Sequence, residues 1–298
     1  MQQMQEQKNW QDFTYLACDG IKLAGRKYGW NNNKAYKNTP VVCLSATTQN
    51  SSEFHELATA LSTRKTFPRR VLALDYRGRG QSAHDKKDNY NILQEAEDTL
   101  SALMATNLQH VNIIGSARGG LIVMNMSSMR PGIINSVILN DIGPVIDARG
   151  LARARTNNSI SNEFPDWKSA IEFMQHVGKV HFPNFTLSDW ERQAKRQFTQ
   201  KNGKIIRDCD PAILASLNAI DLDHRIPELW NEFTGLSNIA LLLIHGNNSN
   251  YLSKDTIKKM RDIHNNMAVI DVANQGHTPD LATENLPEKI AEFLNHQS

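Results

Sequence analysis

A chain of 298 residues is long enough for one large α/β domain with an inserted subdomain, or for two ordinary domains. Lys and Arg number 33 against 31 Asp and Glu, and the net charge of +2 is spread along the chain, which disfavours nucleic acid as a partner. No run reaches the roughly eighteen apolar residues of a membrane span, the start of the chain has no apolar core of leader length, and the three cysteines Cys18, Cys43 and Cys209 are widely spaced. A soluble, cytoplasmic protein with no membrane partner is expected.

The chain opens with a strand-rich stretch over 13–29, which the Asp19-Gly20 pair predicts to be a hairpin. A polar loop ends at Asn38. From Pro40 onward, short continuous apolar runs at 41–44, 71–76, 111–114 and 136–139 suit strands buried on both faces of a parallel sheet. The segments between them carry apolar residues at three and four spacing, as crossover helices do, and this alternation predicts a doubly wound sheet. It breaks after Pro144. The next ninety or so residues read as amphipathic helices containing Trp and Arg, with no clear buried strand, so 145–235 is expected to be a helical insertion within a single domain spanning 1–298. The sheet resumes at 239–246, followed by a helix, a last strand at 267–272 and a closing helix.

Residues 113–124 read IIGSARGGLIVM: a buried strand, glycines at 115 and 119, then an apolar helix. This is the layout of the nucleophile elbow, Gly-x-Ser-x-Gly, where small residues permit a strained turn that lifts one side chain above the sheet. The position at its apex is Ala117. Three further stretches accompany it in order: LDYRGRGQS at 74–82, LNDIGP at 139–144 and NQGHTPDL at 274–281. With these motifs the chain resembles the α/β-hydrolase superfamily over 13–294, particularly its single-domain serine hydrolases with a helical lid and the elbow Gly-x-Ser-Arg-Gly-Gly. The resemblance implies an α/β fold with a mostly parallel doubly wound sheet, an N-terminal hairpin and a helical lid.

Acyl transfer on that fold needs a nucleophile, a base, a carboxylate that orients the base, and two backbone N–H groups for the oxyanion. The resemblance puts Ala117 at the nucleophile position and His277 at the base. The acid of the family usually follows the seventh strand, where GNNSNYLS places Asn250; Asp141 is an alternative acid position that reads first as an aspartate shaping the Asp-Ile-Gly-Pro turn. The oxyanion loop has Ser45-Ala46-Thr47 where close relatives tend to have Pro-Gly before the donor, yet Thr47 and Arg118 would still offer main-chain N–H groups. Ser116 should point away from His277, because successive strand residues face opposite sides. No metal is expected, since His245 and the remaining histidines lack ligand spacing, and no nicotinamide cofactor, since the glycines do not complete a dinucleotide fingerprint. Trp167, Phe173, Phe182, Trp190 and Phe198 could line an acyl pocket, though aromatics at helical spacing more often pack a lid onto a core.

Three readings follow. The first is an esterase-like fold that has lost catalysis, a pseudoenzyme binding a small carbonyl-containing or ester-like ligand. The second is an active serine hydrolase of an ester or related acyl bond whose nucleophile was substituted to trap a complex. The third is a scaffold or interaction protein, which predicts large side chains filling the space above Ala117.

Overall fold

The computed structural model describes residues 9–160, 163–219, 226–283 and 285–297. Residues 1–8, within the start of the chain where no leader was read, lie outside the described residues. Two antiparallel strands, β1 (Gln11–Leu16) and β2 (Lys22–Tyr28), form the expected hairpin, with Gly20 at φ +83°. Then come β3 (Val41–Leu44), α1 (His55–Thr63), β4 (Val71–Asp75), α2 (Ile92–Ala105), β5 (Val111–Ser116), α3 (Arg118–Met129) and β6 (Ile134–Asn140).

The apolar runs at these positions are strands because both of their faces are covered. Val42, Leu44, Leu72, Leu74 and Ile113 point to one core with α2 and α3, while Val41, Cys43, Val71, Ala73 and Ile114 point to a second core with α1. Each large side chain so buried is worth about 1.5–3 kcal/mol.

Between β6 and the return of the sheet lie α4 (Ala148–Ile160), β7 (Glu163–Phe164), α5 (Trp167–Gly178), α6 (Leu187–Gln197), β8 (Phe198–Lys201), β9 (Lys204–Arg207), α7 (Pro211–Asn218) and α8 (Trp230–Thr234). The sequence predicts no clear buried strand here. The structure has a small antiparallel sheet, ordered β7-β9-β8. Its hairpin turns at Asn202-Gly203, both with φ above +50°, which is the backbone a two-residue Asn-Gly turn adopts. Residues 161–162 and 220–225 of the expected insertion lie outside the described residues. Phe233 of α8 belongs to the main core.

The main sheet closes with β10 (Ala240–Gly246), α9 (Lys254–Ile263), β11 (Met267–Val272) and α10 (Leu286–Asn295). Its order is β1-β2-β4-β3-β5-β6-β10-β11, parallel from β4 to β11. The chain leaves β3 toward β4 and returns to place β5 on the other side of β3. Such a switch point opens a crevice at the carboxyl ends of the strands. No helix among the described residues is long and apolar enough to cross a membrane.

Candidate active site

At the switch point, β5 runs into α3 through Ala117, whose φ of 44° and ψ of −108° are a conformation that residues with a Cβ rarely adopt. Strain of this kind costs on the order of 1–3 kcal/mol and persists only where the surroundings impose it. Here the packing of α3 imposes it. A Cβ at Gly119 would lie 2.0 Å from Leu44 O in β3, and one at Gly115 would lie 2.6 Å from Gly119 C. Only glycine allows the helix to start this close to two strands. The Ala117 N–H donates to Asn140 O (3.1 Å) and its carbonyl accepts from Gly120 N (3.0 Å). The methyl group is 6% exposed.

One strand over, Asp141 follows the last residue of β6 with φ 55°. Its buried carboxylate accepts three hydrogen bonds: His277 Nδ1 at 2.8 Å, Gly246 N at 3.0 Å and Ser249 Oγ at 2.5 Å. A carboxylate on Nδ1 fixes the proton there and leaves Nε2 with its lone pair free to accept. The imidazole is also covered on one face by Tyr251, with ring centroids 3.6 Å apart and 5° between planes. Burial raises the Tyr251 phenol pKa.

Of the two candidate acids, then, Asp141 and not Asn250 contacts the imidazole. Strand register is the reason: Asn140 pairs with Ile244, so Asp141 emerges beside the start of the 246–252 loop and within reach of the loop carrying His277. In that 246–252 loop, Ser249 is turned to Asp141 and Tyr251 to His277, while Asn250 Oδ1 is buried with no hydrogen-bond partner among the described residues.

The loop after β3 is held from two sides. Arg79, from the LDYRGRGQS stretch, donates from Nε to Thr47 O (2.6 Å) and from Nη1 to Glu95 Oε1 (2.9 Å), and Arg118 Nε donates to the other oxygen of Glu95 (2.5 Å). One buried glutamate on α2 thus ties the Thr47 loop to the first residue of α3. Among the described residues, neither the Thr47 nor the Arg118 main-chain N–H has an acceptor. Ala46 needs no left-handed backbone, and its N–H donates to Glu53 Oε2 (2.9 Å). Burial pushes the Glu53 carboxyl up to about 7, against hydrogen bonds from Ala46 and Ser116 that lower it. Ser116 is fully buried, and its Oγ also accepts from Asn140 Nδ2 (3.0 Å). His245 is a structural residue, paired through Nδ1 with Asp271 (2.9 Å).

Beside His277 lies a cavity of about 220 Å³. Its polar wall includes Gln49, Glu53, Arg153 and Tyr251; its apolar wall includes Phe173, Met174, Phe182 and Trp190, all from α5, α6 and the connection between them. Of the five aromatics singled out in the sequence, Phe173, Phe182 and Trp190 reach the cavity, whereas Trp167 and Phe198 pack in the insertion's own core. Ala117 and Thr47 are not among its lining residues. The insertion is pinned over it by charge. Asp280, three residues after His277, accepts from Arg196 Nη1 (3.0 Å) and Arg192 Nη2 (2.8 Å) of α6. Burial would raise the Asp280 pKa, but the two guanidiniums hold it below the usual carboxylate range.

Glu53, Glu95, Arg153 and Tyr251 are not among the candidates drawn from the sequence. One of them left a signal: Glu95 and Asp98 fall on the same buried face of α2 as Ala102, and acids on an apolar stripe need cationic partners. These are Arg79 and Arg77, the latter donating to Asp98 from Nε at 2.7 Å.

A family model described as alpha/beta hydrolase fold matches residues 39–279. In sequence the chain is similar to a 3-hydroxybutyrate-oligomer hydrolase of Cupriavidus necator, 22% identical over 260 residues that cover 80% of this chain and 82% of the relative. It is also similar to a putative carbamate hydrolase RutD of Rhizobium rhizogenes, 33% identical over 169 residues that cover 54% of this chain and 60% of the relative. Among solved structures, an alpha/beta hydrolase from Novosphingobium aromaticivorans superposes with a TM-score of 0.86 at 27% identity, covering 97% of this chain and 99% of that one. With its elbow, strand order and matched segment, the chain belongs to the α/β-hydrolase fold family.

Proposed function

We propose that this protein binds a small carbonyl-containing or ester-like ligand between the sheet's carboxyl edge and the 145–235 segment, which acts as a lid, and does not turn it over. The observation that carries this reading is a strained elbow whose apex is Ala117, beside an assembled Asp141–His277 pair. In a complete site His277 Nε2 would take the proton of an apex hydroxyl, Asp141 would stabilise the imidazolium, and the Thr47 and Arg118 N–H groups would hold the oxyanion. A methyl group has neither a proton to give nor a lone pair to attack with. Removing such a nucleophile costs on the order of a millionfold in turnover. The cavity beside His277 offers a place for such a ligand. The relatives named for 3-hydroxybutyrate oligomers and carbamates support an ester-like or related acyl ligand.

The second reading, an ester or acyl hydrolase whose nucleophile was exchanged to trap a complex, is favoured by one feature: the strained turn and the Asp141–His277 pair that would serve a nucleophile are both present. Were Asn250 the acid, Ala117→Ser would restore little. With Asp141 on the imidazole, the expected outcome is recovery. The test compares the chain as it stands with Ala117→Ser on short activated esters such as p-nitrophenyl butyrate. The unaltered chain should bind without turnover, and the variant should gain at least about a thousandfold in rate, a conservative share of the nucleophile's worth. Turnover by the unaltered chain that His277→Ala abolishes would sink the proposal.

A further inference from the structure

We propose that the ligand carries a carboxylate as well as its acyl group, and that Arg153 on α4 is the residue that reads it. This rests on the cavity beside His277 being the ligand site.

The charges lining the cavity do not cancel. Arg196 is answered by Asp280 and Glu56, and Asp280 is shared with Arg192. Glu53 titrates near neutrality and already receives the Ala46 N–H. Arg207 donates to Gln197 Oε1 (3.4 Å) and lies over the Phe198 ring. Arg153 is placed differently. Its Nη2 donates to the Val177 carbonyl (3.1 Å), and among the described residues no carboxylate is paired with it. The groups whose charge reaches it are Tyr251 and His181, neither of them an acid at neutral pH. Burial pulls its proton affinity down, so the fold holds a partly desolvated cation that no side-chain anion among the described residues compensates. Such a group costs free energy until an anion arrives, and guanidinium matches a carboxylate in two parallel hydrogen bonds.

The placement of α4 fixes where that carboxylate would sit. Gly150 lies so close to Tyr251 that a Cβ there would be 2.6 Å from the ring, and this packs the start of α4 against the residue stacked on His277. Arg153, three residues on, falls on the same helix face about one turn away. At about 220 Å³ the cavity is below the roughly 300–1,000 Å³ typical of drug-sized ligands. With Phe173, Met174 and Trp190 also lining it, the space suits a short aliphatic acid whose charged end meets Arg153 and whose acyl carbon approaches His277.

The test titrates the full-length chain with butyrate and with the neutral isostere butyramide, by calorimetry at pH 7 and by the NMR shifts of the His277 imidazole. Butyrate should bind at least about tenfold tighter, a difference of about 1.4 kcal/mol. Arg153→Gln should erase that preference, and Arg153→Lys should retain part of it; a thermal melt confirms that each variant folds. Equal affinity for the two probes, or a preference that survives Arg153→Gln, overturns the carboxylate assignment and leaves the cavity reading standing. If neither probe binds or moves the His277 signals, the cavity reading falls and this proposal with it.

Discussion

The turn at 115–120 and the loop at 45–49 flank one crevice, and they are held in different ways. In the turn, Ala117 occupies the strained conformation because Gly119 against Leu44 and the hydrogen bond to Asn140 determine the backbone whatever side chain stands there. In the loop, polar side chains do the holding: the Ala46 N–H is engaged by the Glu53 carboxyl, which lines the cavity, and Arg79 donates to Thr47 O. A turn held by glycine packed against backbone keeps its geometry whatever side chain stands at its apex, whereas a loop held by ionisable side chains depends on their protonation.

That contrast can be broken in three ways. The largest effect is expected at the charge pair. In the Ala117→Ser background, adding Asp141→Asn should lower kcat by about 10³–10⁴-fold, as loss of the orienting carboxylate does in such a site, whereas Asn250→Asp should change it by less than about tenfold, because that side chain makes no contact with His277. Steady-state ester hydrolysis measures both, and the reverse ranking would return the acid role to position 250.

Gly119→Ala tests whether packing holds the elbow. With a Cβ directed at Leu44 O, the expected loss of stability is about 3 kcal/mol or more, the upper end for overpacking, read from urea denaturation. An unchanged midpoint would mean that the turn is free to relax.

The smallest effect tests the loop. The Glu53 carboxyl is raised to about 7 in the fold from an ordinary 4.5, so between those values the folded chain holds a proton that the unfolded chain has released. Stability from this group is therefore fully present below pH 4.5 and is lost as pH rises through 7. Glu53→Gln should match the unaltered chain best near pH 5 and be relatively more stable at pH 8, in paired urea titrations. A constant difference across that window would place the Glu53 carboxyl in water.

Much of the scaffold was legible in the order of residues. Runs such as VVCL and VNII are apolar on both faces, which only a strand covered on both sides tolerates, and the spacing of Gly115 and Gly119 demanded a turn with no room for side chains. The Asn202-Gly203 turn is equally local, but its flanking strands, FTQK and KIIR, are only partly apolar and carry no clear strand pattern. His277 could be placed because its motif is contiguous.

The order of residues thus determined the sheet and the elbow, which follow from spacing within a dozen neighbours. Tertiary structure alone decided that Asp141, 136 positions from His277, holds the imidazole, and that Glu53 and Arg153 face the same cavity. Strand order and helix packing bring those groups together across long stretches of chain, and no local pattern of side chains encodes which two loops will meet.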